Sequence, residues 1–149
     1  MRLERENGKP EEAELLDLES QIGRTLPEAY RNWLSETGGG VLIDSAIQSG
    51  LADEPIADIA QLFSAAQILL EIDILGHRIS EDWLPIGKSF GGDLAVLDLT
   101  SGEILYLFVP YFYGKDFVTR DCSVKIAENF ERLKRDLRPF DDLLKEIRN

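Results

Sequence analysis

Trp83-Leu84-Pro85-Ile86-Gly87 leads to Gly91-Gly92-Asp93, then to Leu94-Ala95-Val96-Leu97-Asp98-Leu99, Thr100-Ser101-Gly102 and Ile104-Leu105-Tyr106-Leu107-Phe108-Val109. This stretch decides the fold class. Short apolar runs rich in β-branched and aromatic residues are separated by glycine-bearing turn signals, the pattern of strands joined by tight connections. The spacing predicts an antiparallel meander with strands near 84–88, 93–99 and 103–109. Pro110 favours a strand end there, because it cannot donate to a ladder.

Upstream the texture is helical. Pro10 suits a first turn, and Glu11, Glu12 and Glu14 sit well against the positive end of a helix. Leu15, Leu18 and Ile22 recur at helical spacing, so a helix is expected over 10–22, stopped by Gly23. A second helix opens at Leu26-Pro27-Glu28, with Thr25 and Glu28 at capping-box spacing. Tyr30, Trp33, Leu34 and Thr37 form its stripe, and Gly38, Gly39 and Gly40 end it. Val41-Leu42-Ile43 reads as a strand and 44–53 as loop or irregular strand. A third helix is expected to enter at Asp53-Glu54-Pro55, with Ile56, Ile59, Ala60, Phe63, Ala66 and Leu70 on its apolar face. Residues 1–9 carry no pattern and are expected to lack regular structure.

Downstream, Val124, Ala127, Phe130, Leu133 and Leu137 trace one helical face. Arg138-Pro139 interrupts it, and Asp141 to Ile147 make a last short helix. Helices, then strands, then helices indicate an α+β domain: one antiparallel sheet flanked by N- and C-terminal helices. At 149 residues the chain reads as one domain over 1–149. A chain of that size buries roughly two thirds of its unfolded surface.

Composition narrows the function. Sixteen basic residues against twenty-eight acidic ones leave a formal charge of −12. Non-specific nucleic-acid binding needs Lys and Arg to displace counterions, so it is disfavoured, and so is binding to anionic membranes. The single cysteine, Cys122, permits neither an internal disulfide nor a sulfur-based metal site. The N-terminus lacks the apolar core of a signal peptide, and the longest nearly apolar run, 104–112, is too short to cross a bilayer. A cytoplasmic location is expected.

Three blocks of this sequence resemble a known family. Ile22-Gly23, Leu26-Pro27, Tyr30 and Trp33-Leu34, followed by Thr37-Gly38-Gly39, are similar to the opening signature of the SUKH superfamily, the Smi/Knr-like proteins. Leu84-Pro85-Ile86-Gly87, Ser89, Gly91-Gly92-Asp93, then Leu97-Asp98 and Gly102-Glu103-Ile104, resemble its central meander. Ile126-Ala127-Glu128-Asn129-Phe130 with Leu133 resembles its terminal helix entry. The blocks occur in the family's order across about residues 15–137. Segment 44–80, rich in Ala and Ile, and insert 114–123 depart from the pattern. The resemblance implies a non-catalytic protein-binding module. Bacterial members are mostly immunity proteins that neutralise a polymorphic toxin, often a nuclease. Fungal members are regulators of cell-wall synthesis and signalling.

The search for chemistry agrees with that expectation. His77 is the only histidine, and no Gly-x-Ser-x-Gly elbow accompanies it. Gly87-Lys88-Ser89 lacks the glycine a phosphate loop needs five residues earlier, where Asp82 stands. The pairs Glu71/Asp73, Glu81/Asp82 and Asp141/Asp142 are unremarkable in so acidic a chain, and no Asp-x-Asp-x-Asp-Gly calcium loop occurs. No enzyme, cofactor or metal is expected. Trp33 and Trp83 are expected in the core. The aromatic run from Tyr106 to Tyr113 suits either a second buried layer or a partner surface.

The charge is segregated along the chain. From Glu36 to Pro110 twelve acids face only Arg78 and Lys88, a net −10, whereas from Tyr111 onward the balance is +1. An acidic middle would match the basic groove of a nuclease toxin electrostatically. Asp44, Asp93, Asp98 and Glu103 are therefore expected as partner contacts, with Tyr111 and Tyr113 as aromatic anchors. Asp93 has a rival role, because an Asp after Gly-Gly often ties its turn to the backbone. The expected partner is a cognate protein toxin with a basic surface; the alternative is a regulatory adaptor of the Smi/Knr type.

Overall fold

The computed structural model describes residues 1–148. It opens with a strand, β1 (Leu3–Glu6), where the sequence predicts no regular structure. Partner backbone explains it: Asn7 N–H donates to Gly39 O (2.8 Å) and Gly8 N–H to Thr37 O (2.9 Å). Helix α1 (Glu12–Ile22) ends at Gly23, with φ 73°, and α2 (Glu28–Thr37) at Gly38, with φ 71°. The expected Thr25–Glu28 capping box does not form; Pro27 is the N-cap residue and no side chain caps the helix. Glu19 takes over the entry instead. Its carboxylate accepts the Leu26 N–H (2.7 Å) and a bond from Arg31 Nε (3.0 Å), which fixes α2 against α1.

The three glycines after α2 do more than end a helix. Strand β2 (Gly40–Gln48) pairs with β1 on one edge and with β3 (Ile56–Leu62) on the other. A Cβ on Gly38 would strike Gly8 O, one on Gly39 the backbone of Leu62 and Phe63, and one on Gly40 Arg5 O. Absent side chains let three backbone segments meet there.

The helix expected to enter at Asp53-Glu54-Pro55 and end between Glu71 and Gly76 is corrected in its first half; its end holds. Ile56–Leu62 is a strand, and helix α3 is Ala65–Leu75. Ile56, Ile59, Ala60 and Phe63 fit a helical face, but the β2 edge beside them needed a partner. The boundary is set by Ser64 and Gln67, a reciprocal capping box (2.7 and 3.2 Å). Segment 44–53, read as loop or irregular strand, combines the two: 44–48 continues β2, whose pairing with β3 shifts register between Val41 and Ser45, and 49–53 is loop.

The meander forms as read: β4 (Trp83–Lys88), β5 (Leu94–Asp98) and β6 (Ile104–Leu107) pair antiparallel. Every residue of β5 and β6 is buried, so both faces of the sheet centre are covered. Pro110 begins a turn away from the sheet, the short helix α4 (Val109–Phe112). The helix expected over 124–137 is also corrected. Val124–Ala127 is strand β7, paired with β6, and helix α5 (Phe130–Asp136) starts only after Asn129, whose side chain accepts the Arg132 N–H (2.9 Å). A two-residue strand, β8 (Arg138–Pro139), then pairs with β2 and delivers helix α6 (Phe140–Arg148).

The sheet order is β1-β2-β3-β4-β5-β6-β7, with β8 beside β2. It is an α+β fold with one antiparallel sheet. Trp33 and Trp83 both lie in the core. Tyr30, Trp33 and Phe130 lock α2 to α5, with Phe130 edge-on to both partners at 5.0 and 5.2 Å. The aromatic run resolves mostly inward: Tyr106, Phe108 and Phe112 are buried, while Tyr113 is 80% exposed.

Candidate functional site

The β2–β3 hairpin carries four acids that form no ion pair among the described residues, Asp44, Asp53, Glu54 and Asp58. Its tip is closed on itself. Ser49 N–H donates to Pro55 O (2.9 Å), the Ser49 hydroxyl to Glu54 O, and Leu51 N–H to Ser49 Oγ (3.1 Å). Asp53 and Glu54 are thereby presented at the hairpin end. Asp44 projects from β2 and Asp58 from β3. With Glu54, Pro55, Ile56 and Phe140 they line a shallow cavity of about 370 Å³. Phe140 arrives there because β8 pairs with Ser45 and Ala46. Among the described residues none of Asp44, Asp53, Glu54, Asp58 or Asp93 forms an ion pair. Burial, followed by the charges of Asp93 and Asp44, holds the Asp58 carboxyl above its ordinary range.

Tyrosines and Asp93 brace this face from behind. The buried Tyr106 hydroxyl donates to Asp58 O (2.5 Å) and lies 3.4 Å from Asp93 Oδ2. Burial, then Asp58 and Asp93, push that phenol well up. Asp93 accepts the Val109 N–H (2.7 Å), and its own N–H donates to Ser89 Oγ (3.0 Å). One carboxylate thus ties the β4–β5 turn to the start of α4, the backbone role anticipated for an Asp after Gly-Gly. From α4 the Tyr111 hydroxyl donates to Asp53 Oδ2 (2.8 Å), which pushes the phenol up and fixes α4 to the hairpin tip.

The six expected contact residues fall into two groups. Asp44, Asp93, Tyr111 and Tyr113 belong to the hairpin and α4 region. Asp98 and Glu103 lie at the β5–β6 turn and are neutralised from within. Asp98, only 7% exposed, accepts the Thr100 and Ser101 N–H groups (2.9 and 3.2 Å) and meets Arg120 Nη1 (3.2 Å). Glu103 meets Arg120 (3.0 Å) and Lys125 (3.4 Å), and Arg120 foremost holds its carboxyl below the usual range. Arg120 comes from the insert 114–123 that departs from the family pattern. Asp53, Glu54 and Asp58 were absent from the expected set. Their signal was a run of acids at a hairpin tip, hidden because 53–70 reads as a helix.

The arrangement offers hydrogen-bond acceptors and negative charge. His77 sits exposed on a 3-10 turn (Gly76–Arg78) after α3. Among the described residues no group of three or more His, Cys, Asp or Glu is placed to hold a metal ion. No helix among them is long and apolar enough to cross a membrane. The hairpin carboxylates without an ion pair lie beside the half-buried Tyr111 and Phe140.

A comparison with curated proteins finds no match. The family profile does match, over residues 9–136, which spans the helical entry, the whole meander and α5. The chain belongs to the SMI1 / KNR4 family (SUKH-1).

Proposed function

We propose that this chain is an immunity-type protein, which binds a cognate toxin in the cytoplasm and blocks it by covering a basic surface, with no cofactor and no chemistry of its own. The observation that carries the reading is the unpaired set Asp44, Asp53, Glu54 and Asp58 on one hairpin. Three other acids of the middle are matched internally, Asp98 and Glu103 by Arg120 and Asp82 by Arg24, while Glu36, Glu71, Asp73, Glu81 and Asp93, which lie off the hairpin, form no ion pair among the described residues. Charge left unmatched on a braced face steers a basic partner and fixes its orientation. Membership of the family supports a protein-binding role of the immunity or Smi/Knr kind.

The test is co-expression with the toxin domain encoded next to this chain, followed by size exclusion. Protection and a stoichiometric complex are expected. Charge reversal at Asp44, Asp53, Glu54 and Asp58 should slow association and flatten its salt dependence, while reversal at Glu103 should leave both unchanged. Continued toxicity with no complex sinks the reading. Recovery of signalling or envelope-synthesis proteins in place of a toxin would favour the adaptor alternative.

A further inference from the structure

A groove of about 730 Å³ lies away from the acidic hairpin and shares no lining residue with the cavity there. Gly23 and Gly76, which end α1 and α3, both line it, so the C-terminal ends of two helices open onto one space. Each such end carries partial negative charge; neither last turn holds a basic residue, while Arg24 just beyond α1 is engaged by Asp82 and Arg78 just beyond α3 donates to Lys115 O. Glu81 adds a carboxylate that no ion pair engages among the described residues; Asp82 is already held by Arg24. His77 also lines the space.

The lining mixes polar and apolar side chains. Ile22, Ile72, Trp83 and Leu99 line the groove, and Phe117 stands at its edge 56% exposed. Phe117 is not on a loose loop. The next residue, Val118, is buried and donates its N–H to Arg78 O (2.6 Å), while Arg78 Nε donates to Lys115 O (3.0 Å). A rigid exposed aromatic beside a concave space is the makeup of an interface anchor.

We propose that this groove docks a segment of a second protein in which a lysine or arginine stands next to an aliphatic side chain. The aliphatic group packs between Phe117 and Ile72, and the cation meets Glu81 and the carbonyl ends of α1 and α3. This second docking surface stands independently of the toxin reading, because it uses different residues and leaves the hairpin free.

The probe is an acetylated, amidated pentapeptide alternating leucine and lysine, with leucine–glutamine and leucine–glutamate counterparts. Binding is read by Trp83 emission in a Trp33→Phe background and by amide chemical-shift mapping. The lysine peptide should bind with shifts at the groove, the glutamine peptide more weakly, and the glutamate peptide not at all. Glu81→Gln should weaken the lysine peptide about three- to tenfold, and Phe117→Ser at least as much, as for anchors in other interfaces. Asp44→Asn with Glu54→Gln should leave it unchanged. Shifts centred on the hairpin, sensitivity to the hairpin pair but not to Glu81→Gln, or equal binding of all three peptides would each overturn the proposal. None of these outcomes touches the toxin protection assay.

Discussion

Substituting Gly39 by alanine tests the view that three backbone segments meet where side chains are missing. Gly39 has φ +79°, and an added Cβ would lie 2.6 Å from Leu62 O and 2.7 Å from Phe63 C, with Phe63 O nearer still. Left-handed backbone costs a non-glycine residue about 1–2 kcal/mol. Overpacking against backbone that cannot rotate away adds about 1–3 kcal/mol. The segment that must yield joins β3 to α3, where Phe63 N–H donates to Ile86 O (2.8 Å), so relief also loosens the only edge between β3 and β4. The expected loss is about 2–5 kcal/mol. Gly23→Ala is the internal control: its φ is +73°, but nothing lies within 4 Å of the added Cβ, so only the conformational term of about 1–2 kcal/mol applies. Urea unfolding of both variants reads the difference as a shift in midpoint at unchanged slope. Variants that agree within about 0.5 kcal/mol would refute the crossing as a steric constraint, since distant independent sites agree that closely only when their costs match.

Two further outcomes are expected. Tyr30→Phe should raise stability by about 1 kcal/mol in the same assay, because its buried hydroxyl has no hydrogen-bond partner and an unpaired buried donor costs about 1–3 kcal/mol; a loss of stability would show that the hydroxyl is satisfied. The Asp58 carboxyl titrates higher in the folded than in the unfolded chain, so the folded state binds the proton more tightly. Stability should then fall as pH rises from the unfolded value through the folded one, and stay lower above it. Asp58→Asn should remove that downward step and raise stability at neutral pH; a step that persists in the variant assigns it to another group.

Much of the architecture was legible wherever a residue type admits one local answer. Gly23 and Gly38 stop helices because they alone reach the left-handed backbone cheaply, and the turns at Gly91-Gly92 and Gly102 delimit the meander. Where the error fell, two periods fitted the same residues. Ile56, Ile59, Ala60 and Phe63 suit a helix or a doubly buried strand, and only the waiting edge of β2 decides between them. The Ser64–Gln67 box was visible in the sequence and marks the true helix start. Asn129 marks that of α5 in the same way. The site was legible as a region and not as a set. Composition along the chain located the acid in the middle. Which acids stay free depends on Arg120 and Lys125, side chains brought back by tertiary folding. Tyr111 lies beside the acidic hairpin and gives its hydroxyl to Asp53.

The self-closed hairpin tip has a bearing on how such a protein diversifies. Ser49 holds the loop's ends together through the backbone of Glu54 and Pro55, so the fold asks little of the side chains at 52 and 54. Leu51 packs on the core, Asp53 accepts from Tyr111, and Gly50 has φ +82°, so these three keep structural roles. New recognition can therefore be written into that loop by point changes, with the sheet behind it untouched. A library randomised at 52 and 54 with Ser49, Gly50, Leu51, Asp53 and Pro55 kept would sample binding specificity while leaving folding competence nearly constant, whereas randomising Ser49 would mix the two.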